Sequence, residues 1–351
     1  MRVLFEDHTV EHYNTGLTGA LTELGCEVQR FKLGSGLLGL APSGAELRRL
    51  VRMSRSYDVV HLNSAFHSDV MSVLVGLRRR FLITHHGAAV HEAMSGKERS
   101  LWTIRLRALK PVSLTGVPIV TVSNFAAASL NSHVKVRPRV IYHGVEPRWF
   151  QDTDHKSQAR ARFGIPEDRV VLLWVGRATP YKDPATLLRA AARLRDTNPE
   201  LLFLMKLWRT GPLDQDIVSF VNRNNLGRSV QLLHDIPLDS VPLLYASADA
   251  FVHTSRFEGF GLAVLEAMAS GLPVVVADEG GPCEYVGEGG LTYSAGDCVS
   301  LSNVISKLSR GNEQRERLGK SSVSVARTFT WRKAAEAYLR AYNSCFARTR
   351  P

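Results

Sequence analysis

The segment Thr254-Ser255-Arg256-Phe257-Glu258-Gly259-Phe260-Gly261-Leu262-Ala263-Val264-Leu265-Glu266-Ala267-Met268-Ala269-Ser270-Gly271-Leu272-Pro273 sets out a strand end, a glycine-bracketed turn and a helix in close succession. The preceding apolar run ends near His253, and a helix is expected from near Gly261. A helix start leaves its first backbone N–H groups without acceptors, so those of Gly261, Leu262 and Ala263 form a ready anion site. Glu258 falls in the turn, and Glu266 lies a little over one turn into the helix. A carboxylate in each place can accept two hydroxyl hydrogen bonds, which is how proteins grip the vicinal diols of sugars and ribose. The plainer reading of the same residues is a helix cap with two surface glutamates.

Beyond this segment, short β-branched runs alternate with helical patterns along the whole chain. Strands are expected at Val3–Phe5, Val28–Phe31, Val59–Leu62, Phe81–Thr84, Ile119–Val122 and Val140–Ile141. A second series follows at Val170–Val175, Leu201–Lys206, Val230–Leu233, Ala250–Val252, Pro273–Ala277 and Leu291–Thr292. Helical periodicity marks Gly16–Leu24, Ala45–Ser54, Phe125–Asn131, Pro184–Asp196, Gln215–Asn224, Ser240–Ala246, Gly261–Ala269 and Trp331–Arg348. Such alternation predicts an α/β protein with two doubly wound, Rossmann-like parallel sheets, joined near Gly144–Gln158 and meeting at one cleft. A dinucleotide oxidoreductase would place a GxGxxG directly after an early strand. Here Glu6-Asp7-His8-Thr9 follows the first strand, and hydride chemistry is disfavoured.

The 351 residues suffice for two such domains, and 44% hydrophobic against 22% charged residues is a globular balance. No apolar run approaches the ~20 residues of a bilayer span. Cys26, Cys283, Cys298 and Cys345 lie far apart and read as reduced thiols, so a cytoplasmic setting is expected. The net charge of +11 is uneven, with 19 Lys and Arg against 11 Asp and Glu in residues 1–150. That excess suits an anionic partner or reads as solvated surface arginines. The segment Lys97–Lys110, with Trp102 and Ile104 among basic residues, could lie on an anionic membrane at the inner surface, helped by Arg48, Arg49, Arg52, Arg55 and Arg78–Arg80. No basic–aromatic module for nucleic acid is present.

The spacing of Glu258 and Glu266 resembles the E-x7-E arrangement of retaining GT-B glycosyltransferases, and the surroundings are similar to the GT4 family, the group 1 transferases. Val175-Gly176-Arg177 with Lys182 resembles the family's diphosphate-binding Arg and Lys. Gly280-Gly281-Pro282-Cys283-Glu284 resembles its GG-x-x-E turn. Val140–Val145 resembles the hinge, and Phe329-Thr330-Trp331 the start of a terminal helix that returns to the first domain.

This resemblance implies a first, acceptor domain over 1–147, completed by a helix at 331–348, and a donor domain over 148–330. The donor would be a nucleotide-diphosphate sugar, with uridine and guanosine conjugates the first expectation, and the acceptor a hydroxyl compound. Arg177 and Lys182 would hold the diphosphate, Glu266 the ribose hydroxyls and Glu258 the transferred sugar. The backbone of Gly176, Gly259, Phe260, Gly261 and Leu262 would line the donor. His86 would stand near that sugar, with His85 an equal candidate, and Ser123 and Asn124 would lie on the acceptor side. One departure concerns the loop after the first strand, where the family has a glycine pair and Glu11–Gly16 offers Gly16 alone. A GT-B relative that binds nucleotide sugar without transferring it, or an epimerase or phosphorylase of the same fold, are the alternatives. No cofactor and no metal are expected. The Asp-x-Asp triplets at Asp152–Asp154 and Asp214–Asp216 follow no expected strand.

Overall fold

The computed structural model describes residues 1–7, 11–32, 44–63, 81–86, 100, 117–150, 155–208 and 211–347. Two compact units emerge, Met1–Glu146 with the segment from Phe329 onward, and Pro147–Thr328.

The first unit carries β1 (Arg2–Glu6), α1 (Glu11–Glu23), β2 (Glu27–Phe31), α2 (Gly44–Ser54), β3 (Val59–Leu62), β4 (Phe81–His85), β5 (Ile119–Thr121), α3 (Asn124–Val134) and β6 (Arg139–Val140). Its strands form a parallel sheet in the order β2-β1-β3-β4-β5-β6. Side chains alternate across β1. Leu4 joins Leu50 of α2 and Leu130 of α3 in one core, while Val3 and Phe5 join Tyr13, Leu17 and Leu21 of α1 in the other.

The second unit carries α4 (Lys156–Phe163), β7 (Val170–Gly176), α5 (Pro184–Leu194), β8 (Leu201–Leu207), α6 (Asp214–Arg223), β9 (Val230–Leu233), α7 (Val241–Ala246), β10 (Ala250–His253), α8 (Leu262–Ala269), β11 (Val274–Ala277), β12 (Gly290–Tyr293), α9 (Cys298–Arg310) and α10 (Asn312–Ala326). The parallel order is β12-β11-β10-β7-β8-β9. β8 is buried at every position, as a central strand covered on both faces must be. The last helix, α11 (Trp331–Ala347), packs in the first unit, where Trp331, Tyr338 and Tyr342 join the α1 core.

One local expectation is corrected. Glu11–Gly16 is not a loop; α1 begins at Glu11 and runs through Gly16. A Cβ on Gly16 would stand 2.3 Å from the Trp331 indole. The glycine is therefore a packing notch between α1 and α11, a contact across more than three hundred residues that local sequence does not reveal. The segment Lys97–Lys110, apart from Ser100, lies outside the described residues, as do Arg78–Arg80 and Asp152–Asp154.

Candidate donor site

Counted from its own first strand, the second sheet runs 3-2-1-4-5-6, and its order reverses between β7 and β10. Ligands of open parallel sheets bind beyond the carboxyl ends of the strands at such a reversal. The chain supplies that place from two segments: Gly176, Arg177 and Lys182 after β7, and residues 254–263 after β10. Trp174 Nε1 donates to Thr254 Oγ1 at 2.9 Å, and Thr254 Oγ1 donates to the Lys182 carbonyl at 2.9 Å. Arg256 N donates to the Tyr181 carbonyl at 2.9 Å. The two segments are thereby laced together.

Lys182 Nζ forms an ion pair with Glu258 Oε2, and His253 Nε2 stands 3.3 Å from the same oxygen. Burial works against charge on Glu258, but the Lys182 ammonium, with help from His253, outweighs it and holds the carboxyl below the usual carboxylate range. Burial opposes the Lys182 charge too, yet Glu258 leaves that ammonium above its ordinary value. The His253 imidazole is pushed down by burial, against the pull of Glu258. Both contacts fall on Oε2, which leaves Oε1 for a ligand hydroxyl. Arg177 is exposed and has no ion pair among the described residues.

The turn that carries Glu258 is shaped by glycine. Gly261 is the α8 N-cap at φ 85°, where an L side chain would be strained. Gly281 of the following turn lies so close that its Cβ would meet the Gly259 carbonyl at 2.0 Å. Gly281 N donates to the Glu258 carbonyl at 2.9 Å, and Tyr285 Oη donates to the Gly261 carbonyl at 2.9 Å. Phe260 is buried, its ring 5.0 Å from that of Tyr285. α8 thus starts at a fixed place, with the N–H groups of Leu262 and Ala263 free of intrahelical acceptors, while Val264 N donates to the Gly261 carbonyl at 2.9 Å. Glu266 is half-buried on the same helix, and Tyr245 Oη stands 3.4 Å from its Oε2. Sequence reading missed His253, Tyr245 and Tyr285; each is an ordinary core residue until the fold puts it beside a carboxylate or a turn. Asp214 lies in the first turn of α6 and accepts from Gly211 N at 2.9 Å.

In the first unit the sheet order reverses between β1 and β3. There Asn63 N donates to Glu6 Oε2 at 2.9 Å, Asn63 Nδ2 to the Glu6 carbonyl at 2.6 Å, and Tyr13 Oη to Asn63 Oδ1 at 2.8 Å. His86 is half-buried, 4.7 Å ring to ring from Tyr13 and stacked 5.4 Å from His143. His85 is fully buried, and burial pushes its imidazole down to about 4. Of the two histidines, His86 is therefore the one a ligand can reach. Ser123 Oγ accepts from Ala126 N at 3.0 Å as the α3 N-cap. Asn124 is exposed, and its Nδ2 donates to Tyr142 Oη at 2.8 Å. Behind Asn63 a buried network joins His61 Nε2 to Thr84 Oγ1 at 2.7 Å, His61 Nδ1 to Tyr342 Oη at 2.7 Å, and Thr84 Oγ1 to Tyr338 Oη at 3.0 Å. None of these partners was visible in sequence, since each bond joins distant segments.

Comparison with known proteins agrees with this architecture. Residues 155–324 match the family described as glycosyl transferases group 1, and residues 12–149 match glycosyltransferase family 4. A D-inositol 3-phosphate glycosyltransferase of Stackebrandtia nassauensis is 34% identical over 223 residues, 58% of this chain and 48% of that protein. The chain thus spans about half the length of that relative. Among solved structures, sucrose-phosphate synthase from Thermosynechococcus elongatus superposes with TM-score 0.81 at 22% identity, covering 99% of this chain and 100% of that one. HepE of Anabaena, solved in complex with UDP, gives 0.79 at 20% identity, covering 98% and 100%. With both halves matched in sequence and the whole matched in fold, the chain belongs to the GT4-type glycosyltransferases of the GT-B fold.

Proposed function

We propose that this protein is a retaining, metal-independent glycosyltransferase that takes a sugar from a nucleotide-diphosphate donor, a uridine conjugate first, and passes it to a hydroxyl acceptor. One observation carries the reading. At a single sheet reversal the fold gathers Arg177, Lys182, the α8 N-terminus and two carboxylates eight residues apart, Glu258 and Glu266. HepE, of the same fold, has been solved with UDP.

In the proposed reaction the bond from the anomeric carbon to the donor phosphate oxygen breaks, and its electron pair stays on the phosphate. The acceptor oxygen bonds to that carbon on the same face, and its proton passes to the departing phosphate oxygen. Negative charge grows on the phosphate as an oxocarbenium-like carbon forms. Arg177 and Lys182 would meet that charge with charge-assisted donors, and the α8 N–H groups would add theirs. Glu266 would hold the ribose and Glu258 Oε1 a sugar hydroxyl. The first unit would take the acceptor.

Thermal shift and calorimetry with nucleoside diphosphates and their sugar conjugates, EDTA present, test the donor site. Saturating ligand at ~100 Kd stabilises by about 2.7 kcal/mol. The shift should vanish in Arg177→Ala, and turnover should survive EDTA; loss rescued by Mn²⁺ would overturn the metal-free reading. A second reading, a binder that does not transfer, is favoured by the absence of a glycine pair after β1. Donor consumption with sugar released onto an acceptor separates the two. A reducing, cytoplasmic setting is supported by four cysteines without disulfides, and no described helix is long and apolar enough to cross a membrane. Contact with an anionic membrane surface is supported by exposed Arg48, Arg49, Arg52 and Arg55 on and just beyond α2. Sedimentation with phosphatidylglycerol vesicles tests it.

A further inference from the structure

Lys206 is a buried lysine that the proposed chemistry does not use. It stands near the carboxyl end of β8, paired in register with Val175 of β7 and Leu233 of β9. Its residue is 2% exposed, and it makes neither hydrogen bond nor ion pair among the described residues. Among the described residues its close contact is the Trp208 ring, with Nζ 3.3 Å from the centroid. A ring face attracts a cation but offers no lone pair to its three N–H donors. Buried charges are ordinarily paired, because an unpaired one costs more than most single contacts return. A lone cation at a strand's carboxyl end therefore points to a partner that arrives with the ligand.

The fold says which part of the ligand. Side chains alternate along β8, so Met205 and Leu207 enter the core toward α5 and α9, and Lys206 faces the other way. That other face holds Val175 and, two residues past Phe251 in register with Leu173, His253. Tyr245 of α7 stacks on Phe251 at 5.6 Å and approaches Glu266, so α7 and α8 cover this face too. The charged groups acting on Lys206 are Glu266 of α8 and Asp235, just beyond β9. Lys206 thus lies on the β8–β9 side of β7, on the flank away from Lys182 and Glu258, where the diphosphate and sugar are assigned. Beyond the ribose held by Glu266, what remains of the donor is its base.

We infer that Lys206 reads the nucleobase, donating from its ammonium to a ring oxo group, and so selects oxo bases over amino bases at this site. The inference rests on the donor site proposed above. Uracil and hypoxanthine offer an oxygen where cytosine and adenine carry an amino group. An amino group there would set donor against donor, and a site built around a hydrogen bond rejects an analogue that cannot make it. Burial also pulls the Lys206 ammonium down to about 8, against the pull of Glu266 and Asp235, so it is still charged at neutral pH.

The test is calorimetry of the full chain with two matched pairs, UDP against CDP and IDP against ADP, each differing by one oxo-to-amino exchange. In the pair that binds, the oxo member should be tighter by roughly tenfold or more. Lys206→Met should bring that ratio to about one while diphosphate binding through Arg177 persists. Lys206→Gln, a second neutral variant, should weaken the preference, and Lys206→Arg should keep it. The ligand-free Lys206→Met protein should melt no lower than wild type, because it loses an unpaired buried charge; a purely structural cation–π role would lower its Tm. A ratio near one in wild type, or one unchanged in Lys206→Met, overturns the inference and leaves the donor site standing. Failure to bind any of the four overturns the donor site and this inference together.

Discussion

The two sheets reverse their strand order in different places and furnish the reversal in different ways. In the second unit, between β7 and β10, the groups are charged and come mostly from one short segment after each strand: Arg177 and Lys182, then Glu258 and Glu266. In the first, between β1 and β3, the described groups are, Glu6 aside, amide, imidazole or aromatic, and they come from distant segments. Asn63 is held by Glu6 and Tyr13, and the layer behind it is closed by Tyr338 and Tyr342 of the last helix. A crevice built from adjacent residues can be lost by one substitution that leaves the fold intact. One built from long-range hydrogen bonds should fail first as stability.

That contrast can be broken experimentally. Lys182→Ala removes the ammonium proposed to hold the diphosphate and leaves Glu258 without its ion-pair partner. Losing one donor of a preorganised anion site costs about 10²–10³ in kcat/KM. Steady-state kinetics on the donor identified by the nucleotide panel would show it, and a loss below tenfold would put the diphosphate elsewhere.

Acid separates the units next. His61 and His85 of the first unit are buried, and burial pushes their imidazoles down to about 3 and about 4. The unfolded chain then binds protons that the folded chain refuses, so stability present above the ordinary histidine range is lost as pH falls from ~6.5 toward these values. In the second unit the depressed Glu258 carboxyl keeps its contribution above the unfolded carboxylate pKa and loses it only as pH falls through its own lower value. The raised Lys182 contributes at every pH below the unfolded lysine pKa and fades only as pH climbs through its higher one. Hydrogen exchange followed peptide by peptide at pH 7 and pH 5 should show β3 and β4 losing protection before β7, with β10, which carries the likewise depressed His253, between them. Equal loss in both would erase the distinction.

The smallest effect is expected from Tyr342→Phe, which strips His61 Nδ1 of its 2.7 Å partner. About 1 kcal/mol is the ordinary worth of such a bond. The melting temperature should fall by a few degrees, with the affinity for nucleotide unchanged. A changed affinity would mean that the network behind Asn63 reaches further than the first unit.

Much of this was legible beforehand. The alternation of β-branched runs and helical periods marked the described strands of both sheets, most firmly central ones such as β7 and β8, whose buried parallel setting needs continuous apolar runs. The turn that carries Glu258 was legible for a related reason: a strand–turn–helix with Gly261 at its hinge writes its geometry into neighbouring positions. The α1 start, Gly16 and the His61–Tyr342 pair were not legible, since none has a local signature. Lys206 sat inside an expected strand and gave no hint of being a buried charge.

By itself, then, the sequence determined the two α/β sheets and the charged turn at Glu258, since both depend on periodicity and on residues a few positions apart. Long-range packing alone makes Gly16 a notch for Trp331, pairs Lys182 with Glu258 and buries Lys206 without an ion pair among the described residues. Each of those depends on which distant atoms arrive within a few ångströms, and long-range packing sets that distance where local pattern cannot.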